Sequence, residues 1–181
     1  MQVLTFSVSS MNRKVEPRHK LRTIVIDGDD VALNHGQTLF FSCQGIRECV
    51  KFFKQRGHND IIVFVSQFRR ETPRNDCPIS DQHILIELEE QNHIVWTPSR
   101  KLRGYGLITF NTDFLLQTAV KNDAIIVSNN TYDVVSAKRS NYRQHVDNRL
   151  LMYCFLDGQF VPPHDPRGRR GPSLDVFLQL A

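Results

Sequence analysis

Three apolar runs decide what this chain can fold into: "TIVID" at 23–27, "IIVFVS" at 61–66 and "AIIVS" at 124–128. Each is short, continuous and rich in β-branched residues, with no polar alternation. A strand of that kind has both faces covered, which is the condition of a strand inside a parallel sheet. Segments with helical spacing lie between them. Over 45–56, Ile46, Cys49, Val50 and Phe53 share one face, and Gly57 follows as a C-cap. In "SDQHILIELEEQN", Ile84, Leu85 and Leu88 form an apolar stripe, and Ser80 is placed to cap the helix. This alternation predicts an α/β sandwich with a mostly parallel central sheet flanked by helices.

The remaining elements fit the same plan. "HIVWTPS" and "GLITF" read as the third and fourth strands, with Asn111 or Thr112 capping the helix "DFLLQTAVKN". A polar helix is expected over 131–149. "LLMYCFLDGQFVPP" reads as strand, Asp-Gly turn and strand, a hairpin, and "GPSLDVFLQL" as a terminal helical turn. Residues 1–20 read as a flexible basic arm and 21–181 as a single domain.

Composition excludes several classes. The chain has 181 residues, 40% hydrophobic and 23% charged, which suits a globular domain with a full core. No apolar run approaches the ~18 residues of a membrane span. The amino end lacks the charged-then-apolar pattern of a secretory signal, so the expected setting is intracellular: the cytoplasm, with the nucleus as an alternative. Cys43, Cys49, Cys77 and Cys154 have no zinc-ligand spacing and are expected as plain thiols.

The net charge of +4 is unevenly spread. Stretch 12–22 holds five Arg or Lys against one Glu, 97–106 holds three and no acid, and 164–171 holds three against one Asp. Stretches like these suit a polyanion such as RNA, or are simply solvated loops; charge alone favours neither.

Open parallel sheets bind ligands beyond the carboxyl ends of their strands. That rule selects Asp27, Asp29 and Asp30 after the first strand, Asn111, Thr112 and Asp113 after the fourth, and Asn129 and Asn130 after the fifth. Carboxylates at such an edge are how a protein holds Mg²⁺ or Mn²⁺ for phosphodiester hydrolysis, because these hard ions prefer oxygen ligands. "DGDD" alone is equally a solvated turn or helix cap.

Longer stretches make the signal specific. "VIDGDDVALNHG", "FSCQGI", "GHNDIIVFV", "DQHILIELE", "TPSRKLRGYG", "IIVSNNTYDV" and "RLLMYCFLDGQFVPPHDPRGRRGPSLDVFL" together resemble the NYN/PIN-like domain of the Regnase (MCPIP) endoribonucleases. They occur in family order from about 21 to 180. The resemblance implies a PIN-like fold, Mg²⁺- or Mn²⁺-dependent cleavage of single-stranded RNA, a setting in RNA turnover or silencing, and association with another NYN domain of the same or a related chain. Many family members carry a CCCH zinc finger after this domain; none is read in this sequence.

Residue by residue, the carry-over is incomplete. Where the family has Asp-Gly-Ser-Asn, this chain has Asp27-Gly28-Asp29-Asp30. Family Asp-Asp-Arg-Phe is here Asn111-Thr112-Asp113-Phe114, and family Ser-Asn-Asp-Thr-Tyr is Ser128-Asn129-Asn130-Thr131-Tyr132. Three family acids are therefore neutral, and Asp30 adds one nearby. A charge pair at ~4 Å is worth on the order of 4 kcal/mol near a protein surface. Losing the three family acids should weaken metal binding at Asp27 and Asp30 by orders of magnitude. Asp113, one residue past the lost pair, points about 100° away from its neighbour on the helix.

Basic residues in two loops line the family's RNA path. The matching residues here are Arg69, Arg70 and Arg74 after the second strand, and Arg100, Lys101 and Arg103 after the third. Phe68 and Tyr105 are stacking candidates. Trp96 is expected in the core, His35 in a turn and His83 on a helix surface. The reading drawn from the sequence is an RNA-directed domain with impaired or absent nuclease activity that binds RNA or a partner. Two alternatives stand: an active metal-dependent endoribonuclease using Asp27, Asp30 and Asp113, and a protein-binding scaffold without RNA.

Overall fold

The computed structural model describes residues 20–73, 75–76, 78–102, 106–109, 111–137 and 139–180. In chain order they form β1 (Ile24–Asp27), α1 (Gly28–His35), β2 (Phe41–Ser42), α2 (Cys43–Gln55), β3 (Ile61–Ser66), β4 (Ile79–Ser80) and α3 (His83–Glu90). Then come β5 (Ile94–Thr97), β6 (Ser99–Leu102), β7 (Gly106–Thr109), α4 (Asn111–Asn122), β8 (Ile125–Val127), α5 (Asp133–Ser136) and α6 (Ser140–Arg149). The chain closes with β9 (Leu150–Leu151), β10 (Cys154–Leu156), β11 (Gln159–Val161) and α7 (Leu174–Phe177). A 3-10 turn, Gln67–Arg70, follows β3.

The three apolar runs sit side by side. The central sheet has the order β5-β3-β1-β8-β9, and every pairing in it is parallel. β1 lies in the middle, with Ile24 opposite both Ile61 and Ile125. Its side chains alternate between two cores, as the two-residue period of a strand requires. Ile24 and Ile26 pack with Val63, Val65, Ile125 and Val127 under α1, α2 and α3. Val25 packs with Phe64 and Ile126 against Leu115, Leu116 and Ala119 of α4 and Val146 of α6. This double burial is the physical reason the strands carry no polar alternation.

The helical stripes behave as expected. Ile46, Cys49, Val50 and Phe53 are buried on α2, and Ile84, Leu85 and Leu88 on α3. Gly57, just past α2, takes φ +91, a conformation that costs glycine little. The hairpin is β10 paired with β11 through Asp157 and Gly158, both at positive φ.

Four expectations need correction. Ser80 does not cap α3: it belongs to β4, and the helix begins two residues after Asp81, whose φ is +55. The fourth strand, "GLITF", is not in the parallel sheet. It forms β7, antiparallel to β6, because their short connection can close a hairpin but not the long crossover a parallel pair needs. The polar helix over 131–149 is two helices, α5 and α6. Trp96 is half-buried rather than core, with its indole N–H donating to Glu89 Oε1 at 2.8 Å. The basic arm 1–19 lies outside the described residues, as do Arg74, Cys77, Arg103 and Tyr105.

Candidate RNA-processing cleft

β1 ends at Asp27, and α1 starts at the next residue. That junction needs Gly28, because a Cβ there would meet Phe64 O at 2.7 Å and Val65 Cγ2 at 2.8 Å. The tight turn sends Asp27, Asp29 and Asp30 into one space at the carboxyl edge of the sheet. Asp27 doubles as the N-cap of α1, its Oδ1 accepting from the Asp30 amide at 3.2 Å.

Asp27 is only 5% exposed, and protein donors surround it. Oδ1 also accepts from Asn111 Nδ2 at 3.4 Å. Oδ2 accepts from Tyr132 Oη at 2.8 Å, Asn130 Nδ2 at 3.3 Å and Ser128 Oγ at 3.4 Å. Asp30 Oδ2 accepts from the Asn129 amide and Tyr153 Oη, both at 2.8 Å, and from Ser128 Oγ at 3.2 Å. Asp30 Oδ1 accepts from Asn34 Nδ2 at 2.9 Å. Asp29 Oδ2 accepts from the Ser66 amide at 3.1 Å, from the Ser66 hydroxyl, and from Asn111 Nδ2 at 3.2 Å. Its Oδ1 takes Arg69 Nε at 3.2 Å. All six carboxylate oxygens therefore accept from the protein itself.

Electrostatics agrees with this geometry. Burial, then the charges of Asp29 and Asp30, push the Asp27 carboxyl up to about 6, against the opposing hydrogen bond from Tyr132. Burial, then the charges of Asp27 and Asp30, raise the Tyr132 and Tyr153 phenols far above their ordinary range, so both remain protonated donors. Tyr132 reaches Asp27 from a backbone at φ 58, ψ 21, a conformation uncommon for a bulky residue and held here by buried surroundings.

The sequence-selected residues separate into groups. Asp27, Asp30, Asn111 and Asn130 converge, and Asp29 joins them. Thr112 is half-buried in the first turn of α4. Asp113 is exposed and makes no hydrogen bond to the cluster, in line with its expected turn away from its neighbour. Arg69, expected on the RNA path, is instead buried at 6% exposure. Its guanidinium pairs with Asp29 and stacks over Phe41 and Phe68 at 4.3 Å. The new acid Asp29 draws it inward. Half-buried Phe68 is thus occupied as the platform for Arg69. Arg70 is exposed, over the Trp96 ring at 4.9 Å and 3.3 Å from Glu89. Arg100 and Lys101 belong to β6, directly after the carboxyl end of β5, rather than to a loop. His35 holds its turn through Ser42 Oγ at 2.7 Å, and His83 lies on the surface of α3.

Sequence reasoning missed Tyr153, Asn34, Ser66 and the structural role of Ser128. Tyr153 and Asp30 are 123 positions apart, and nothing local marks their meeting.

The donor set does not fit a divalent cation. A metal needs oxygen lone pairs aimed at it, and here amide N–H, phenol O–H and guanidinium groups point at those lone pairs. Asn111 turns its Nδ2 to two carboxylates, leaving its Oδ1 buried without a partner. The reverse orientation would set that oxygen against two anions. Among the described residues, no group of three or more His, Cys, Asp or Glu is arranged to hold a metal ion.

A parallel sheet of this order, with acids gathered at the end of its central strand, defines the PIN-like class of α/β domains. Two solved structures of Arabidopsis thaliana nuclear protein-only RNase P 2 (PRORP2) share the fold. One superposes with a TM-score of 0.57 at 16% identity over 81% of this chain and 30% of that one. The other gives 0.56 at 14% over 84% and 30%. Within that class, residues 20–176 match the Zc3h12a-like ribonuclease NYN domain, and the chain belongs to this Regnase-type family. The Caenorhabditis elegans protein "Endoribonuclease rege-1" is 45% identical over 170 residues, 94% of this chain and 26% of that protein. The chain thus spans about a quarter of that relative's length. No helix among the described residues is long and apolar enough to cross a membrane.

Proposed function

We propose that this domain is an RNA-directed Regnase-type module that binds single-stranded RNA and cleaves it weakly or not at all. It acts in RNA turnover or silencing through the RNA it holds or a related NYN domain it pairs with. The observation that carries the reading is that each of the six oxygens of Asp27, Asp29 and Asp30 accepts a hydrogen bond from the protein. Metal-dependent hydrolysis needs those oxygens for the ion and a free base for the water. Exposed Arg70 beside Trp96, together with Arg100 and Lys101 on β6 and Arg74 and Arg103 nearby in sequence, supplies the phosphate-binding rim.

A second reading, an active Mg²⁺- or Mn²⁺-dependent endoribonuclease, is favoured by one finding: the 45% identical relative bears the name endoribonuclease. End-labelled single-stranded RNA incubated with the protein, with and without Mn²⁺, separates the two. The proposal expects RNA retained on the protein, released steeply by salt, and intact. It expects Mn²⁺-dependent cleavage when Asn111→Asp, Thr112→Asp and Asn130→Asp are introduced together. Cleavage by the unaltered protein that Asp27→Asn abolishes would establish the second reading. Absence of retention even at low salt would point to a protein-binding scaffold.

A further inference from the structure

Two arginines from the other basic stretches, Arg22 and Arg167, line one cavity away from the cleft. Arg22 ends the stretch 12–22, and Arg167 lies in the stretch 164–171. Arg22 precedes β1 by two residues, Asp123 precedes β8 by two, and Arg149 directly precedes β9. These strands are parallel, so all three residues lie at their amino ends. That edge is opposite the cleft, roughly 17 Å from Asp27 along β1 at the rise of a strand.

A cavity of about 400 Å³ opens at this edge, walled by Arg22, Arg149, Arg167, Phe177, Gln179 and Leu180. The segment after α7 closes one side. The Arg22 amide donates to Leu178 O at 2.9 Å, and the Leu180 amide donates to Lys20 O at 2.7 Å. Arg22 is 5% exposed, and its Nη1 donates to the Asp123 carboxylate and to Asp123 O at 3.1 Å. Arg149 Nε donates to the other oxygen of Asp123 at 3.1 Å. Burial opposes ionisation of Asp123, yet hydrogen bonds and charge from Arg149 and Arg22 hold its carboxyl below the usual range.

One carboxylate therefore serves two guanidiniums, and a third, Arg167, is exposed with no ion pair to a described residue. Arg22 Nε is buried without any acceptor. A purely structural ion pair would need one arginine for Asp123. Two cations on one acid, with a third lining the same cavity, leave positive charge in excess at a concave surface, and one buried Arg22 donor is unanswered. That is the chemistry that recognises a phosphate, through planar guanidinium forks.

We propose that this cavity is a phosphate-binding site separate from the carboxylate cleft. It takes the phosphate of a nucleic-acid backbone or of a free phosphate ester. Arg149 and Arg167 touch the ligand, and Arg22 supplies fixed charge behind them. The site is independent of whether the cleft cuts or holds RNA.

Titration of ¹⁵N-labelled protein with sodium phosphate tests it, with sodium chloride at matched ionic strength as the control. Saturable shifts are expected at the amides of Val176, Phe177, Gln179 and Leu180. Arg167→Glu should weaken phosphate binding about tenfold or more, and Arg167→Gln less. Lys51→Ala, on the exposed face of α2, should leave it unchanged. A short 5′-phosphorylated oligonucleotide identifies the source. If it moves the same amides and inorganic phosphate displaces it, the ligand is a nucleic-acid phosphate. If only inorganic phosphate does so, the site serves a free phosphate ester. Shifts no greater than chloride produces, or saturable shifts that survive both Arg167 substitutions, would overturn the proposal.

Discussion

Asp27 sits where an anion is hardest to keep, and its surroundings set its chemistry. Its carboxyl is raised from 3.8 to about 6, so the folded chain keeps a proton that the unfolded chain has already released. Between those two values the folded state binds more protons, and stability falls as pH rises. The effect is about 3 kcal/mol, complete above the folded value. Carbon-detected NMR should show the Asp27 carboxyl titrating near pH 6; a midpoint near 4 would mean the site is wetter than the structure has it. Arg69 and Arg70 are neighbours with opposite roles. Arg69→Ala strands Asp29 beside two other acids and should cost about 3 kcal/mol in urea unfolding. Arg70→Ala should stay within about 0.5 kcal/mol and instead weaken RNA retention. Sequence alone marked Asp27, Asp30 and Asn130, because strand ends in a parallel sheet are predictable, and Asn111 through the family motif, although its strand lies outside that sheet. It did not show that Arg69 is drawn inward, because its contact with Asp29 spans 40 positions.

The elements that carry the site are short, and their junctions matter more than their lengths. α1 begins one residue after β1 only because Gly28 has no side chain. Gly28→Ala forces a Cβ into the backbone of Phe64 and should cost about 1–3 kcal/mol. Its thermal transition should drop, and the Asp27 and Asp30 resonances should move with it. A fully retained midpoint would show that β3 yields more easily than its packing implies. Strands with doubly buried faces were legible in the sequence, as were the α2 and α3 stripes and the Asp157-Gly158 hairpin. The start of α3 and the partner of β7 were not. Caps and strand partners depend on loop geometry, and Ser80 and "GLITF" each carried a valid local signal that the tertiary arrangement overrode.

At the scale of the whole molecule, donors of the protein stand where a cation would otherwise balance three acids. Asn111 takes part in this, one amide answering Asp27 and Asp29 together. Asn111→Asp should therefore destabilise the metal-free protein by about 3 kcal/mol at neutral pH, through like-charge repulsion in a buried site. Added Mn²⁺ should recover that loss in a thermal melt, whereas the unaltered protein should melt at the same temperature with or without the ion. The most direct measurement is calorimetric titration of the unaltered protein with Mn²⁺ at neutral pH. The account predicts no saturable heat at millimolar ion. A saturable site that disappears in Asp27→Asn would contradict it.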